Sequence, residues 1–135
     1  MFTLNDDIKE LLKHTDLVLL DIKHINSEKC KKLVGISNKL ELDFARYLSE
    51  NGITTWIRQV IIPGITDSEE DLIELGNFIN SLKSIEKVEL LPYHNMGKTK
   101  WKDLGFDYPL EDVRTATPED IKRVKEILNL RESIY

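Results

Sequence analysis

One cysteine, Cys30, is all the thiol chemistry this sequence holds. It excludes an intramolecular disulfide, and it excludes a cysteine-ligated iron–sulfur cluster within the chain, which needs several thiolates. Histidine is nearly as scarce. His14, His24 and His94 stand apart, none in a ligand-spaced pair, so zinc gains no support. No apolar run approaches a membrane span. Asp6, Asp7 and Glu10 interrupt any signal-peptide pattern at the start. Positive charge is short as well: a net charge of −5 offers no global field for nucleic acid. These absences leave a cytoplasmic protein, with residues 1–135 forming one domain of ordinary size and neither nucleic acid nor membrane as partner.

What is present alternates between strand-like and helix-like segments. Asn5 is placed to cap a helix over 6–14 with Ile8, Leu11 and Leu12 on one face. DLVLLDI at 16–22 reads as a strand whose continuous apolar run suits a parallel sheet. Cys30 lies in KCKKLVG, a short helix in which it reads as a small packed residue. Asn38 is placed to cap a helix ending near Gly52, burying Leu40, Phe44, Ala45 and Leu48. TTWIRQVII at 54–62 is the second strand, stopped by Pro63-Gly64. Asp67 and Glu70 have capping-box spacing ahead of a helix carrying Leu72, Leu75, Ile79 and Leu82. Residues 86–92 are the third strand, and Thr117-Pro118 opens a last helix lined by Ile121, Val124 and Leu128.

The order predicts βα units with a parallel sheet and right-handed crossovers. Three parallel strands leave two open edges, so the sequence reads as part of a barrel. Its loops at 23–37 and 93–116 are long, as functional loops at strand C-termini are.

Polar groups stand in or just after each strand. A charge inside a buried strand costs several kcal/mol, on the order of the desolvation penalty of a buried ion, unless it is paired or used. Asp21 and Lys23 are two apart and share a face if the strand continues. They suit either a zwitterionic ligand or a plain strand-end ion pair, and spacing alone favours the ion pair. Arg58, flanked by Trp56 and Val60 on its own face, suits a planar anion or a partner such as Glu89 in the next strand. His94 follows the third strand, where it is a structural donor, a donor to a ligand heteroatom or an acid/base. Lys98, Lys100, Lys102 and Trp101 form a basic loop, read here as solvated and anchored by one tryptophan.

The strings DLVLLDIKHIN, LVGISN, LDFARYL, WIRQVIIPG, KVELLPYHNMGKTKW and RVKEIL resemble, in order and spacing over 5–128, the C-terminal half of the pyruvate formate-lyase activating enzymes. These are radical S-adenosylmethionine enzymes, and YHNMGKTKW and LVGISN are specific to the activating group. The resemblance implies an α/β fold: a partial TIM-like (β/α)6 barrel, with its last three βα units and a C-terminal helix supplied here. It implies cofactor-binding positions at Asp21, Ile22, Lys23, Arg58, Leu91 and His94. Asp21 and Lys23 match the pair near the methionyl portion of S-adenosylmethionine, and Asp21 also matches a monovalent-cation ligand. His94, with the backbone near Leu91, matches the contact to the adenosine portion. Arg58 matches a polar residue of the barrel interior. The implied activity is glycyl-radical formation on a partner such as pyruvate formate-lyase, with S-adenosylmethionine and a [4Fe–4S] cluster.

The sequence departs from that pattern where the cluster belongs. The family's CxxxCxxC motif is absent, as are its glycine-rich strand end and the acidic residue of its third strand. Met1 falls where that third strand has just ended. The expectation is a chain with no catalytic residue of its own and no iron–sulfur ligands, inactive without an N-terminal half-barrel. Two further readings fit the same residues: a non-catalytic half-barrel binding module, and the C-terminal subunit of a split enzyme.

Overall fold

The computed structural model describes residues 6–94 and 113–135. In chain order these form α1 (Asp6–Leu12), β1 (Val18–Asp21), α2 (Ser27–Val34), α3 (Lys39–Glu50), β2 (Thr55–Ile61), α4 (Glu69–Asn80), β3 (Ile85–Pro92), α5 (Pro118–Leu128) and a 3₁₀ turn (Glu132–Ile134). The three strands lie parallel in the order β1-β2-β3. This is the expected α/β arrangement, with the first long loop tightened by α2. Asn26 caps α2 by accepting the Lys29 N–H, and Gly35 ends it at φ 87°, where a side chain would be strained.

Alternation along β2 decides which face does what. Thr55, Ile57, Gln59 and Ile61 are buried, while Trp56, Arg58 and Val60 are half-buried. Ile57 and Ile61 pack with Val88 of β3, Leu72, Leu75 and Ile79 of α4, and Val124 and Leu128 of α5. Leu20 of β1 joins Leu12, Phe44, Ala45 and Leu48 in a second cluster under α1 and α3. Helices α1, α3, α4 and α5 therefore cover one face, while α2 packs Leu33 with Ile62, Tyr93 and Val60 at the C-terminal end of the strands. Parallel sheets are ordinarily covered on both. Here the other face keeps Leu19 at 55% exposure and carries ionic side chains, as the inner face of an incomplete barrel would.

Sheet edges differ as well. Among the described residues β1 pairs only with β2. The start of β3 is obstructed: the Arg131 guanidinium donates to the Ile85 carbonyl at 2.9 Å, and the 3₁₀ turn packs beside the strand. Val60 and Ile61 lie in the central strand, so of the apolar runs at 18–19 and 60–61 only the one in β1 stands at an edge of the described sheet.

Three local expectations need correction. Ser68, one residue after Asp67, caps α4 by accepting the Asp71 N–H; Asp67 instead accepts the Gly64 N–H at 2.8 Å and holds the turn after β2. Asn38 stands at the α3 N-cap but makes no capping bond, because its Nδ2 donates to the carbonyls of His24 (3.0 Å) and Ile25 (2.6 Å). Leu11 and Leu40 are 67% and 38% exposed, and Leu12 and Leu42 take the inward places. The cap expected of Asn5 lies outside the described residues. At the other end Pro118 starts α5 as expected, and Thr117 and Asp120 add a reciprocal capping box.

Gly76 fixes how closely α4 and α5 approach. A Cβ there would lie 2.5 Å from the Leu128 carbonyl oxygen, a backbone atom that cannot swing aside. Alanine gains about 1 kcal/mol of helix propensity over glycine, but overpacking costs about 1–3 kcal/mol. Gly76→Ala is expected to lower the urea midpoint despite the better propensity; an unchanged or raised midpoint would show that α5 can shift outward freely.

Candidate functional site

Parallel register builds one charged row across the open face. Asp21 is opposite Arg58, and Arg58 is opposite Glu89. A register shift between Thr55 and Trp56 passes over Glu86 and sets Trp56 against Lys87. Without that shift the pleat would turn Glu89 to the helix side. Arg58 Nε lies 3.9 Å from Asp21 Oδ1 and 3.5 Å from Glu89 Oε2. Lys87 Nζ is 3.5 Å from Glu89 Oε1 and 4.9 Å from the centre of the Trp56 ring. Arg58 thus meets the Glu89 partner its sequence position allows, and a second carboxylate besides. Its side chain is 37% exposed and that of Asp21 is 53% exposed, so the row is solvent-screened and contributes little to stability.

Two donors on this face are shielded from water and have no hydrogen-bond partner among the described residues: Trp56 Nε1 and Arg58 Nε. Leaving a buried polar group unsatisfied costs about 1–3 kcal/mol. Both belong to the face that the helices leave open, where further polar contacts have room to form.

The expected site residues are placed as follows. Asp21 ends β1. Ile22, immediately after it, is buried and donates its N–H to the Arg58 carbonyl at 2.9 Å. Lys23 is half-buried; its N–H reaches Glu41 Oε2 at 3.4 Å, and its carbonyl accepts from Gln59 Nε2 at 3.4 Å. Asp21, Lys23 and Glu41 line one hollow of about 450 Å³ beside β1, with Val18, Leu19, Leu20 and Phe44. Burial raises the Glu41 carboxyl above its usual range, against the opposing pull of the Lys23 N–H and charge. Leu91 is opposite Val60 on the open face, one side-chain step beyond Glu89. His94 is exposed past the C-terminal end of β3, the same end of the parallel sheet as Lys23, and is not part of the charged row. Lys98, Lys100, Trp101 and Lys102 lie outside the described residues.

Two groups without a site role in the sequence reading are informative. Cys30 is fully buried and burial pushes its thiol up to about 11, which suits packing and not metal ligation. His24 is 1% exposed and joins Asp71, Lys29 and Ser68 in a polar cluster between α2 and α4. A lone histidine gives no periodic signal. Its one sequence clue is a place directly after Lys23 in an otherwise apolar segment. Among the described residues no cluster of metal-binding side chains occurs and no helix is long and apolar enough to cross a membrane.

Known proteins match this chain along most of its length. It is 49% identical over 121 residues to the pyruvate formate-lyase-activating enzyme of Streptococcus mutans, covering 90% of this chain and 46% of that protein. The enzyme of the same name from Staphylococcus epidermidis is 51% identical over 130 residues, covering 96% of this chain and 52% of that protein. That of Staphylococcus aureus strain USA300 is 50% identical over 126 residues, 93% of this chain and 50% of its own length. The chain therefore spans about half the length of the curated relatives it matches. No family model matches it. Its fold is that of a crystallised domain of pyruvate-formate lyase-activating enzyme from Bacteroides vulgatus, with a TM-score of 0.75 at 23% identity over 94% of this chain and 70% of that one. A radical SAM methyltransferase from Sphaerobacter thermophilus is also similar in fold, with a TM-score of 0.56 at 19% identity over 82% of this chain and 30% of that one.

Proposed function

We propose that this chain, a homologue of one half of the pyruvate formate-lyase-activating enzymes, is the cofactor-orienting C-terminal half of a glycyl-radical-enzyme activase. One observation carries the reading: a sequence about half identical to half of those enzymes folds as a sheet finished on its helix side and unfinished on the side that bears the charges. The domain is the C-terminal part of a barrel, its partner a glycyl-radical enzyme such as pyruvate formate-lyase, and its location cytoplasmic.

The residues fit part of the cofactor set. The open face and strand ends offer a carboxylate, an ammonium and donors without partners, groups that suit the amino-acid end of S-adenosylmethionine. In this reading Asp21 and Lys23 hold the methionyl portion, His94 with the backbone near Leu91 contacts the adenosine portion, and Ile22 and Arg58 lie close to the cofactor. Asp21 would also bind a monovalent cation. When bound, S-adenosylmethionine would supply hydrogen-abstracting chemistry toward a glycine of the partner, given one electron from an iron–sulfur cluster held outside this chain. The residues do not fit the [4Fe–4S] cluster, because the only thiol is buried and protonated, so the cluster needs cysteines from elsewhere.

The isolated chain should therefore bind S-adenosylmethionine weakly. One ion pair and one histidine contact remain. Each polar group the ligand buries without a partner costs about 1–3 kcal/mol, at least as much as a surviving neutral hydrogen bond contributes. Calorimetry at neutral pH is expected to give no dissociation constant in the low micromolar range. Tight binding that Lys23→Ala abolishes would replace this reading with a self-sufficient cofactor module.

A further inference from the structure

We propose that His24 is the positioning residue of the loop that carries Lys23, a neutral imidazole pin between the segment after β1 and the turn after β2. The pin acts on function through Lys23, and so rests on the cofactor-contact reading above. Short bonds hold the residues on both sides of Lys23: Ile22 donates its N–H to the Arg58 carbonyl at 2.9 Å, and His24 is bound through its ring and its carbonyl. Its Nε2 is 2.9 Å from the Ile65 carbonyl oxygen, and its Nδ1 accepts the Asn26 N–H at 3.0 Å. Its own carbonyl accepts from Asn38 at 3.0 Å. The Lys23 N–H to Glu41 and the Lys23 carbonyl to Gln59 are each 3.4 Å, at the weak end of the range. Ile22 anchors the strand side of Lys23, and His24 anchors the loop side.

Both ring nitrogens are committed, and in one tautomer. A carbonyl only accepts, so Nε2 carries the proton and Nδ1 keeps a lone pair. A second proton at Nδ1 would face the Asn26 N–H and break that bond. The surroundings divide on the charged ring. Asp71 of α4, 3.7 Å away, favours it, as do Glu74 of α4 and the Ile65 carbonyl of the turn, while Lys29 of α2 opposes it. Burial outweighs them and holds the ring below its ordinary 6.5. A base depressed on folding binds its proton first in the unfolded chain, so the contribution is complete above about pH 6.5 and falls away as acid is added.

Two measurements on the 135-residue chain test the pin: amide exchange at Asn26, and the rate at which an amine-acetylating reagent modifies Lys23. In the wild type, Asn26 protection should fall about tenfold, after correction for intrinsic exchange, between roughly pH 7.5 and 5. His24→Asn retains an acceptor close to the Nδ1 position and should keep that protection at both pH values. His24→Gln retains only the donor, and should lose Asn26 protection and change the Lys23 acetylation rate about threefold or more at neutral pH. Circular dichroism separates local release from unfolding, and the wild-type pH series needs no variant. Flat Asn26 protection from neutral to acid pH, or equal Lys23 rates in all three proteins, would overturn the pin. Unchanged S-adenosylmethionine binding by Lys23→Ala in an assembled enzyme would defeat the cofactor-contact reading while the exchange data still supported the pin.

Discussion

Co-expression with the N-terminal half of the Staphylococcus epidermidis relative should turn a chain that holds no iron into a complex that holds a cluster. The isolated chain, reconstituted anaerobically with iron and sulfide, should show no charge-transfer absorption and no iron after desalting. Cys30 is its only thiol, and it is buried and protonated. The added half brings the cysteines. It also covers apolar surface that the chain leaves exposed, at about 25 cal/mol per Å². Leu19 at 55% and Leu11 at 67% exposure are the residues to watch for protection from solvent. Soluble yield should rise with the added half. In the complex, Lys23→Ala should weaken S-adenosylmethionine binding and reduce the glycyl-radical signal on the partner enzyme. Hydrogen bonds to charged groups contribute about 1.5–3 kcal/mol, roughly ten- to hundredfold in affinity. A stoichiometric cluster on the chain alone would contradict this account. So would a chain that is monomeric, cooperatively folded and indifferent to the added half, which would favour an independent binding module.

Ile57→Ala should be among the most damaging single truncations of the core. Ile57 is fully buried in the central strand and packs among Ile61, Leu72 and Val88. Isoleucine-to-alanine changes in cores cost about 2–5 kcal/mol through lost transfer energy and the cavity left behind. With a urea slope of about 1–3 kcal/mol per molar, the midpoint should drop by about 1–2 M, or folding should fail. Leu19→Ala, on the open face of β1, should stay within about 0.5 kcal/mol in the isolated chain. Comparable losses from the two substitutions would mean that the two faces of the sheet have been assigned the wrong way round.

The strands and their direction were legible because apolar runs of strand length recur between helical patterns, and helices between strands demand parallel pairing. The βα units, the Thr117-Pro118 helix start and the packed role of Cys30 follow from local chemistry, and all are present. The errors are of one or two residues. Ser68 takes the cap expected at Asp67, and the inward stripe of α3 includes Leu42 instead of Leu40. Caps and helix phase depend on where tertiary contacts pull the chain, as Asn38 shows by leaving its helix to bond the loop after β1. Arg58 was recognisable as a charge needing a partner. That it meets Asp21 and Glu89 together depends on strand register and on a shift in β3, neither of which is written locally. His24 was invisible as a pin, because its partners Ile65 and Asp71 are 41 and 47 positions away.

The unequal edges of the sheet also set a limit on self-assembly. Endless growth by edge addition needs two complementary free edges on every copy, so that each newcomer presents what the last one used. Arg131 and the 3₁₀ turn occupy the start of β3, and β1 is left as the open side. Two copies meeting at β1 would consume that edge of each, and among the described residues the start of β3 offers no second one. A chain with an unfinished side can then form a dimer, or take one foreign strand, without seeding a filament.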